Sequence, residues 1–447
     1  MAYWQRMKKR ETVLLGLVFC LSVLMICTVT DASSKEKLKV GVIGPMKFVQ
    51  GEHCWDGAVI AAEEINAAGG VRVGNKQYEI ELVKADSNEW GSISDAASAM
   101  ERLITVDKVK MVTGGYRSEA VLNMQEVAAD NKVVYFSVGA GAPQIAERLV
   151  ANYDKYKYWF REGQPNTAVG GKSVFATLGV VANKIRSELG IKTPKAALLF
   201  ERVMWADVSV KMSGDLLPKM GIEISGVWRP SFSATDLRAE LDAIRATGAH
   251  IIFDGTSGPV GVVLGRQWGE LKIPAALVGY NGEGMKGKYW EATEGLCNYE
   301  AIAEYIARVG VTERAVSFFD KFTKQFKTYP TNSALSYNAI WIWKEAIERA
   351  GTLDSDKLVA EIEKTDFLGA NGRVRYTSRQ DKWPHDIKWG PKDLTLFGAQ
   401  WKDGKKLVIW PDGQSAFGDE GWKGVRFSGT ADYELPPWVR NYWKGKK

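Results

Sequence analysis

The sequence predicts an α/β protein built from two parallel-sheet units, and three observations carry that expectation. Short apolar runs alternate with amphipathic stretches from Leu38 onward; the alternation pauses over residues 152–165 and then begins again; and the loops after the apolar runs combine glycine with hydroxyl, amide or aromatic residues. Alternation of strand and helix patterns places parallel strands side by side with helices on both faces. The 447 residues, 25% charged and 45% hydrophobic, have ordinary globular usage, which excludes collagenous and low-complexity chains. That length implies two or three domains with sizeable cores.

Taken in order, residues 38–43 form the first strand candidate, followed by a Gly/Pro loop and a helix in which Ala58, Ala62 and Ile65 share a face. Tyr78, Ile80 and Leu82 alternate as in a half-exposed strand. Ile93, Ala96, Ala97, Met100, Leu103 and Ile104 form an apolar stripe at helical spacing. A strand over 109–113, a helix over 119–130 and a strand over 133–137 complete the first unit. After the pause, strands are expected at 195–200, 222–228, 250–254 and 275–278, with helices between them that include 237–246 and 260–271. Helical patterns return at 313–326, 333–350 and 354–364. From about Arg373 the chain is Gly- and Trp-rich, with short β-like pieces at 393–401 and 406–410. Solenoid periods and heptad runs are absent from the sequence.

The composition is unusual in its 17 Trp against 3 His and 4 Cys. Few His and Cys leave little material for a zinc cluster, whereas indole rings suit packing and partly wet clefts. A net charge of +6 from 59 basic and 53 acidic residues is close to balance and gives no argument for nucleic acid. The N-terminus opens with Arg6, Lys8, Lys9 and Arg10, runs apolar from Val13 to Val29, and ends in small residues near Ala32. This order reads as a secretory signal peptide over residues 1–32, with a retained membrane anchor as the alternative. Ile26 before Cys27 is bulkier than a lipoprotein site allows. Removal of the segment takes four basic and two acidic residues with it, leaving a net charge of about +4. Cys54 and Cys297 then remain, in a compartment that permits a disulfide; two buried thiols is the other reading.

In open α/β sheets, ligands bind beyond the carboxyl ends of strands. The loops there are 113–118 (TGGYRS), 137–143 (SVGAGAP), 254–259 (DGTSGP) and 279–284 (GYNGEG). Their glycines let a ligand approach the main chain, and free N–H groups at a helix start favour an anion such as a carboxylate. Motifs for catalysis are weak. Residues 166–173, NTAVGGKS, fall one glycine short of a phosphate-binding loop because Asn166 stands at its first position. Gly139-Ala140-Gly141 lacks the third glycine of a dinucleotide fingerprint. His53, His250 and His385 are too scattered for metal-ligand spacing, and the sequence contains neither G-x-S-x-G nor H-E-x-x-H. Carboxylates are plentiful, so a paired-carboxylate site stays open at this stage.

Residues 38–45 (LKVGVIGP), residues 57–70 (GAVIAAEEINAAGG) and the strand at Ile80 ending in Ala85-Asp86 resemble the start of the type I periplasmic binding proteins of the leucine/isoleucine/valine group, the extracytoplasmic receptors of ABC importers. The likeness spans about residues 38–400. It is strongest in the first 145 residues and weak in the Trp-rich tail. It implies two Rossmann-like lobes joined by three crossovers: residues 38–160 with 300–390, and residues 161–299 with 391–447. A small molecule would be enclosed between them. It also implies no cofactor and no catalysis, a membrane permease as partner, a monomer, and a periplasmic location. In proteins of this group a serine and main-chain N–H groups at a first-lobe helix start hold the ligand carboxylate. The resemblance assigns that role to Ser118, with Tyr116 and Arg117 beside it. Gly139 and Gly141 fall at the small-residue strand end that meets the ligand, although a threonine hydroxyl is common where Gly141 stands. Trp205 matches an aromatic residue that covers the ligand from the second lobe.

The departures concern charge. The ammonium-binding acids of the group correspond here to Asn166 and Asn281, Ser257 stands where an aromatic hydroxyl is frequent, and Gln50 where a first-lobe tyrosine is expected. Two amides in place of acids, with Arg117 nearby, favour a carboxylate or neutral polar ligand over a branched-chain amino acid. The competing reading is that Glu162 or Glu283 supplies the charge from a shifted position. Two other function classes stay in view: a ligand-sensing module of the same fold that signals through a partner, and an exported α/β enzyme.

Overall fold

The first sheet has the strand order β2-β3-β1-β4-β5-β6, built from β1 (Glu36–Gly44), β2 (Val71–Val73), β3 (Lys76–Asp86), β4 (Met111–Gly114), β5 (Val134–Ser137) and β6 (Trp159–Arg161). In this computed structural model, residues 35–393, 396–414 and 420–446 are described, and from Lys37 onward the chain forms one compact unit. The expected signal peptide, residues 1–32, lies outside the described residues. β1, β4, β5 and β6 run parallel, with Val40 opposite Met111 and Met111 opposite Val134. Their residues are apolar and buried because helices cover both faces: α1 (Val49–Ala67) packs on one, α2 (Ile93–Thr105) and α3 (Ser118–Asp130) on the other. The stripe predicted for α2 turns Ala96, Met100, Leu103 and Ile104 inward. Two short helices, α4 (Gln144–Ala151) and α5 (Tyr153–Tyr156), lead into β6. The pause expected at 152–165 is therefore not a break, because β6 completes the sheet. Three fully buried residues have no alternation for a pattern to detect.

The second sheet, β15-β14-β11-β10-β9-β7-β8, starts from α6 (Thr167–Leu189). Its parallel strands are β7 (Lys195–Phe200), β8 (Glu223–Trp228), β9 (Ile251–Thr256), β10 (Ala276–Asn281) and β11 (Ala301–Glu304). Helices α7 (Met204–Leu216), α8 (Arg238–Ala246), α9 (Val260–Glu270) and α10 (Tyr289–Ala292) connect them. The near-miss phosphate motif opens α6, where the Asn166 side chain accepts from Ala168 N–H at 2.9 Å as an N-cap.

After β11 the chain returns to the first sheet as α11 (Glu313–Phe326), α12 (Ser336–Ala350), α13 (Ser355–Ile362) and a hairpin of β12 (Phe367–Gly369) and β13 (Gly372–Val374). The Ser336 hydroxyl donates to Cys54 O at 2.5 Å and the Tyr337 hydroxyl to Glu64 at 2.7 Å, fixing α12 on α1. A third passage between Ile387 and Phe397 adds the antiparallel strands β14 (Phe397–Lys402) and β15 (Lys405–Trp410) to the second sheet, and α14 (Pro437–Lys444) ends the chain. The architecture is thus two α/β lobes joined by three crossovers. The switch expected at residue 300 falls after Glu304 instead, because β11 pairs with β10.

Cys54 and Cys297 are buried free thiols, one in each lobe, and the disulfide reading falls away. Of the tail indoles, Trp438 and Trp443 donate to the carbonyls of Ile273 and Pro274, and Trp389, Trp410 and Trp422 cluster on α6. Trp383 instead packs on the first lobe, against the cluster that holds Trp159.

Candidate ligand-binding cleft

The carboxyl ends of both parallel sheets meet at a cleft of about 270 Å³. Its first wall is mostly main chain. β4 runs out through Gly114 and Gly115 into Tyr116, Arg117 and Ser118, where α3 begins. The buried Glu89 carboxylate holds this turn: it accepts from Arg117 N–H at 2.6 Å, Tyr116 N–H at 3.1 Å and the Ser87 hydroxyl at 2.9 Å. Burial raises the Glu89 pKa, against those hydrogen bonds. With its preceding N–H groups engaged, the turn presents the start of α3 and Ser118 to the cleft. Ser118 Oγ accepts from Ala142 N–H at 3.2 Å, tying α3 to the loop of Gly139 and Gly141. Glu119 lines the same wall and is paired with Arg117 at 3.5 Å.

The second wall is built of side chains. Val203, Met204 and Trp205 at the start of α7, Phe232, Ser257 and Tyr280 line it. Trp205 meets Tyr280 edge-on at 5.0 Å, and its indole N–H lies 3.4 Å from Ser257 Oγ. Ser257 in turn donates to Glu201, which also accepts from Gly258 N–H at 3.3 Å. Glu201 has no exposed surface, and burial is the main cause that raises its pKa. Trp90 from the first lobe reaches Phe232 of the second at 5.3 Å, with Arg117 above its ring at 6.0 Å. Tyr116 and Tyr280 face the cleft from opposite lobes. A smaller cavity of about 40 Å³, lined by Val174, Phe175, Phe200 and Phe253, continues behind Gln164, Trp205 and Tyr280.

Of the residues singled out in the sequence, Tyr116, Arg117, Ser118, Gly139, Gly141, Trp205 and Ser257 come together at this cleft. Gln50, Asn166 and Asn281 do not line it. Gln50 is buried in the first turn of α1. Asn166 caps α6. Asn281 is turned behind β10, where its amide donates to Glu300 at 2.8 Å and its oxygen accepts from Gly284 N–H at 3.1 Å. Nor do the alternative acids face the cavity. Glu162 is held by the Asn338 amide and the Tyr376 hydroxyl, both at 3.1 Å, and Glu283 pairs with Lys286 at 2.6 Å. Trp90, Phe232, Gln164 and Tyr280 were not singled out from sequence. Tyr280 lay inside a recognised loop, but Trp90 and Phe232 follow strand ends without a motif. Gln164 lies in the stretch read as a pause.

Chemically the arrangement can hold a small anion or polar head against a helix start and enclose an apolar body between rings. Among the described residues, no cluster of metal-ligating side chains occurs. The family model described as periplasmic binding protein matches residues 37–388. A Leu/Ile/Val-binding protein homolog of Brucella abortus is 22% identical over 400 residues, covering 85% of this chain and 93% of that protein. The branched-chain amino acid transporter substrate binding protein LivJ of Streptococcus pneumoniae, solved with isoleucine, is 20% identical with a TM-score of 0.68 over 84% of this chain and 99% of that one. A solute binding protein of an ABC transporter from R. palustris, solved with benzoate, is 14% identical with a TM-score of 0.66 over 83% and 95%. Two lobes, a cleft at facing strand ends and a family match over most of the chain converge: this chain belongs to the periplasmic binding protein family, a family of solute-binding proteins.

Proposed function

We propose that this chain is the extracytoplasmic substrate-binding component of an ABC importer, and that it carries a small carboxylate with an apolar or aromatic body to a membrane permease. The observation that carries the reading is the contrast across the cleft: Ser118 and the start of α3 on one side, Trp205, Phe232 and Tyr280 on the other. A carboxylate fits the helix start, where unpaired N–H groups and the helix dipole favour negative charge. The ring-lined wall supplies burial for the remainder of the molecule. Asn281, which corresponds to an ammonium-binding acid of the group, is spent on Glu300, so a branched-chain amino acid loses a partner for its ammonium. The solved relatives named above hold isoleucine in one case and benzoate in the other; the wall chemistry here agrees better with the second. Export through the N-terminal segment as a cleaved signal peptide, and a monomeric state, belong to the same reading. Among the described residues, no helix is long and apolar enough to cross a membrane. Titration calorimetry with leucine, isoleucine, benzoate and phenylacetate tests the ligand class. Binding of a carboxylate lacking an ammonium is the expected result, and tight binding of leucine alone would overturn it.

A further inference from the structure

Gln164 occupies the first crossover, between β6 and α6, and lines both the main cleft and the smaller cavity behind it. Its backbone N–H donates to Val138 O at 2.9 Å, and the preceding Gly163 takes a φ of 87°, a turn that brings the next side chain back toward the cleft. The residue is 8% exposed. Its Oε1 accepts from the Asn332 amide at 3.1 Å, which fixes the orientation of the group. Nε2 therefore points the other way, and among the described residues it has no acceptor. The missing side chain of Gly141 makes room for it: a Cβ there would stand 2.8 Å from Gln164 Nε2 and 2.7 Å from Thr167 Oγ1. An amide fixed through its oxygen and lining the cavity offers its N–H groups to a ligand acceptor in place of water.

Resting on the carboxylate reading above, we infer that Gln164 is a specificity-determining ligand contact that selects an acceptor oxygen beside the carboxylate, so that the preferred ligands are 2-oxo acids and 2-amino acids are rejected. The carboxylate sits at Ser118 and the start of α3, and the 2-oxo oxygen accepts from Gln164 Nε2. An ammonium in that place sets donor against donor. The nearby acids do not relieve the conflict, since Glu119 is paired with Arg117 and Glu201 is enclosed behind Ser257. Sites built to hydrogen-bond one substrate group discriminate strongly against analogues that leave it unpaired.

The test compares 4-methyl-2-oxopentanoate with leucine, and phenylpyruvate with phenylalanine, by calorimetry on the wild type and on Gln164→Glu and Gln164→Met. Each pair shares its skeleton and differs at the 2-position. The wild type is expected to prefer each oxo acid by about tenfold or more, the worth of one charged or buried hydrogen bond. Gln164→Glu, which keeps the acceptor for Asn332, should lose that preference and gain affinity for the amino acids. Gln164→Met should lose oxo-acid affinity without gaining amino-acid affinity, and circular dichroism confirms that both variants fold. Variants whose oxo-acid to amino-acid ratio equals that of the wild type overturn the role of Gln164 while leaving the carboxylate reading standing. A wild type that binds neither oxo acid also overturns it, and one that prefers the amino acids overturns both.

Discussion

The two walls of the cleft are made of different material. The first-lobe wall is main chain and small residues, with Ser118, Gly139 and Gly141 held by the buried Glu89 below and by Arg161 behind. Arg161 donates to the carbonyls of Ala140 and Ala142, which flank Gly141, and pairs at 2.6 Å with Asp386, just before the third crossover. The second-lobe wall consists of exchangeable side chains, Trp205, Phe232 and Tyr280, in front of Glu201. A wall of backbone fixes where a polar head can sit, and changes to its supports act on stability. A wall of rings sets which apolar body fits, so its substitutions act on affinity.

The largest effect should come from the support of the first wall. Asp386→Ala leaves the Arg161 guanidinium buried without its partner and should lower unfolding stability in urea by about 3–5 kcal/mol. A loss no larger than that of a surface substitution would break the comparison. Next come two buried acids, one in each lobe. Glu162 is held by Asn338 and Tyr376, and Glu300 by Asn281 and Tyr289; burial pushes each pKa up from 4.5 to about 7. Because the folded state keeps these protons where the unfolded chain has lost them, stability should fall as pH rises from about 4.5 to about 7, by roughly 3 kcal/mol for each acid. Glu162→Gln and Glu300→Gln should therefore stabilise the protein at pH 8 and change little at pH 4, which thermal melts at the two pH values would reveal.

On the ring wall, Trp205→Ala should leave the urea midpoint nearly unchanged. It should weaken the carboxylate found by calorimetry by about 10–100-fold and reduce the tryptophan emission change on its addition to the part contributed by Trp90. An unchanged emission response would return Trp205 to the core. The smallest effect is expected for Ser118→Ala, about 1 kcal/mol in binding by calorimetry, since the main-chain N–H groups of α3 remain.

Legibility in the sequence follows the same division. The first wall was readable because α3 begins at a strand end marked by Gly114-Gly115 and Ser118, and such local chemistry leaves a motif. The second wall was readable only at Trp205 and Ser257, which also sit where strands end. Trp90 and Phe232 meet across the lobes, 142 positions apart in the chain, and nothing local marks either. Asn166 and Asn281 failed for a related reason. They occupy the expected loops, but one caps a helix and the other satisfies a buried carboxyl, and side-chain direction is not encoded by position alone. β6 escaped because three buried residues carry no period.

The sequence by itself determined the α/β alternation, the two-lobed plan and the helix start that lines the cleft, because each rests on local periodicity or on a turn. Only the tertiary structure decided which side chains enter the cleft, that β11 joins the second sheet, that Cys54 and Cys297 stay apart, and that Gln164 points its amide into the space beside Gly141. Those outcomes depend on contacts between segments far apart in the chain, where packing space and the need to satisfy buried polar groups choose the orientation.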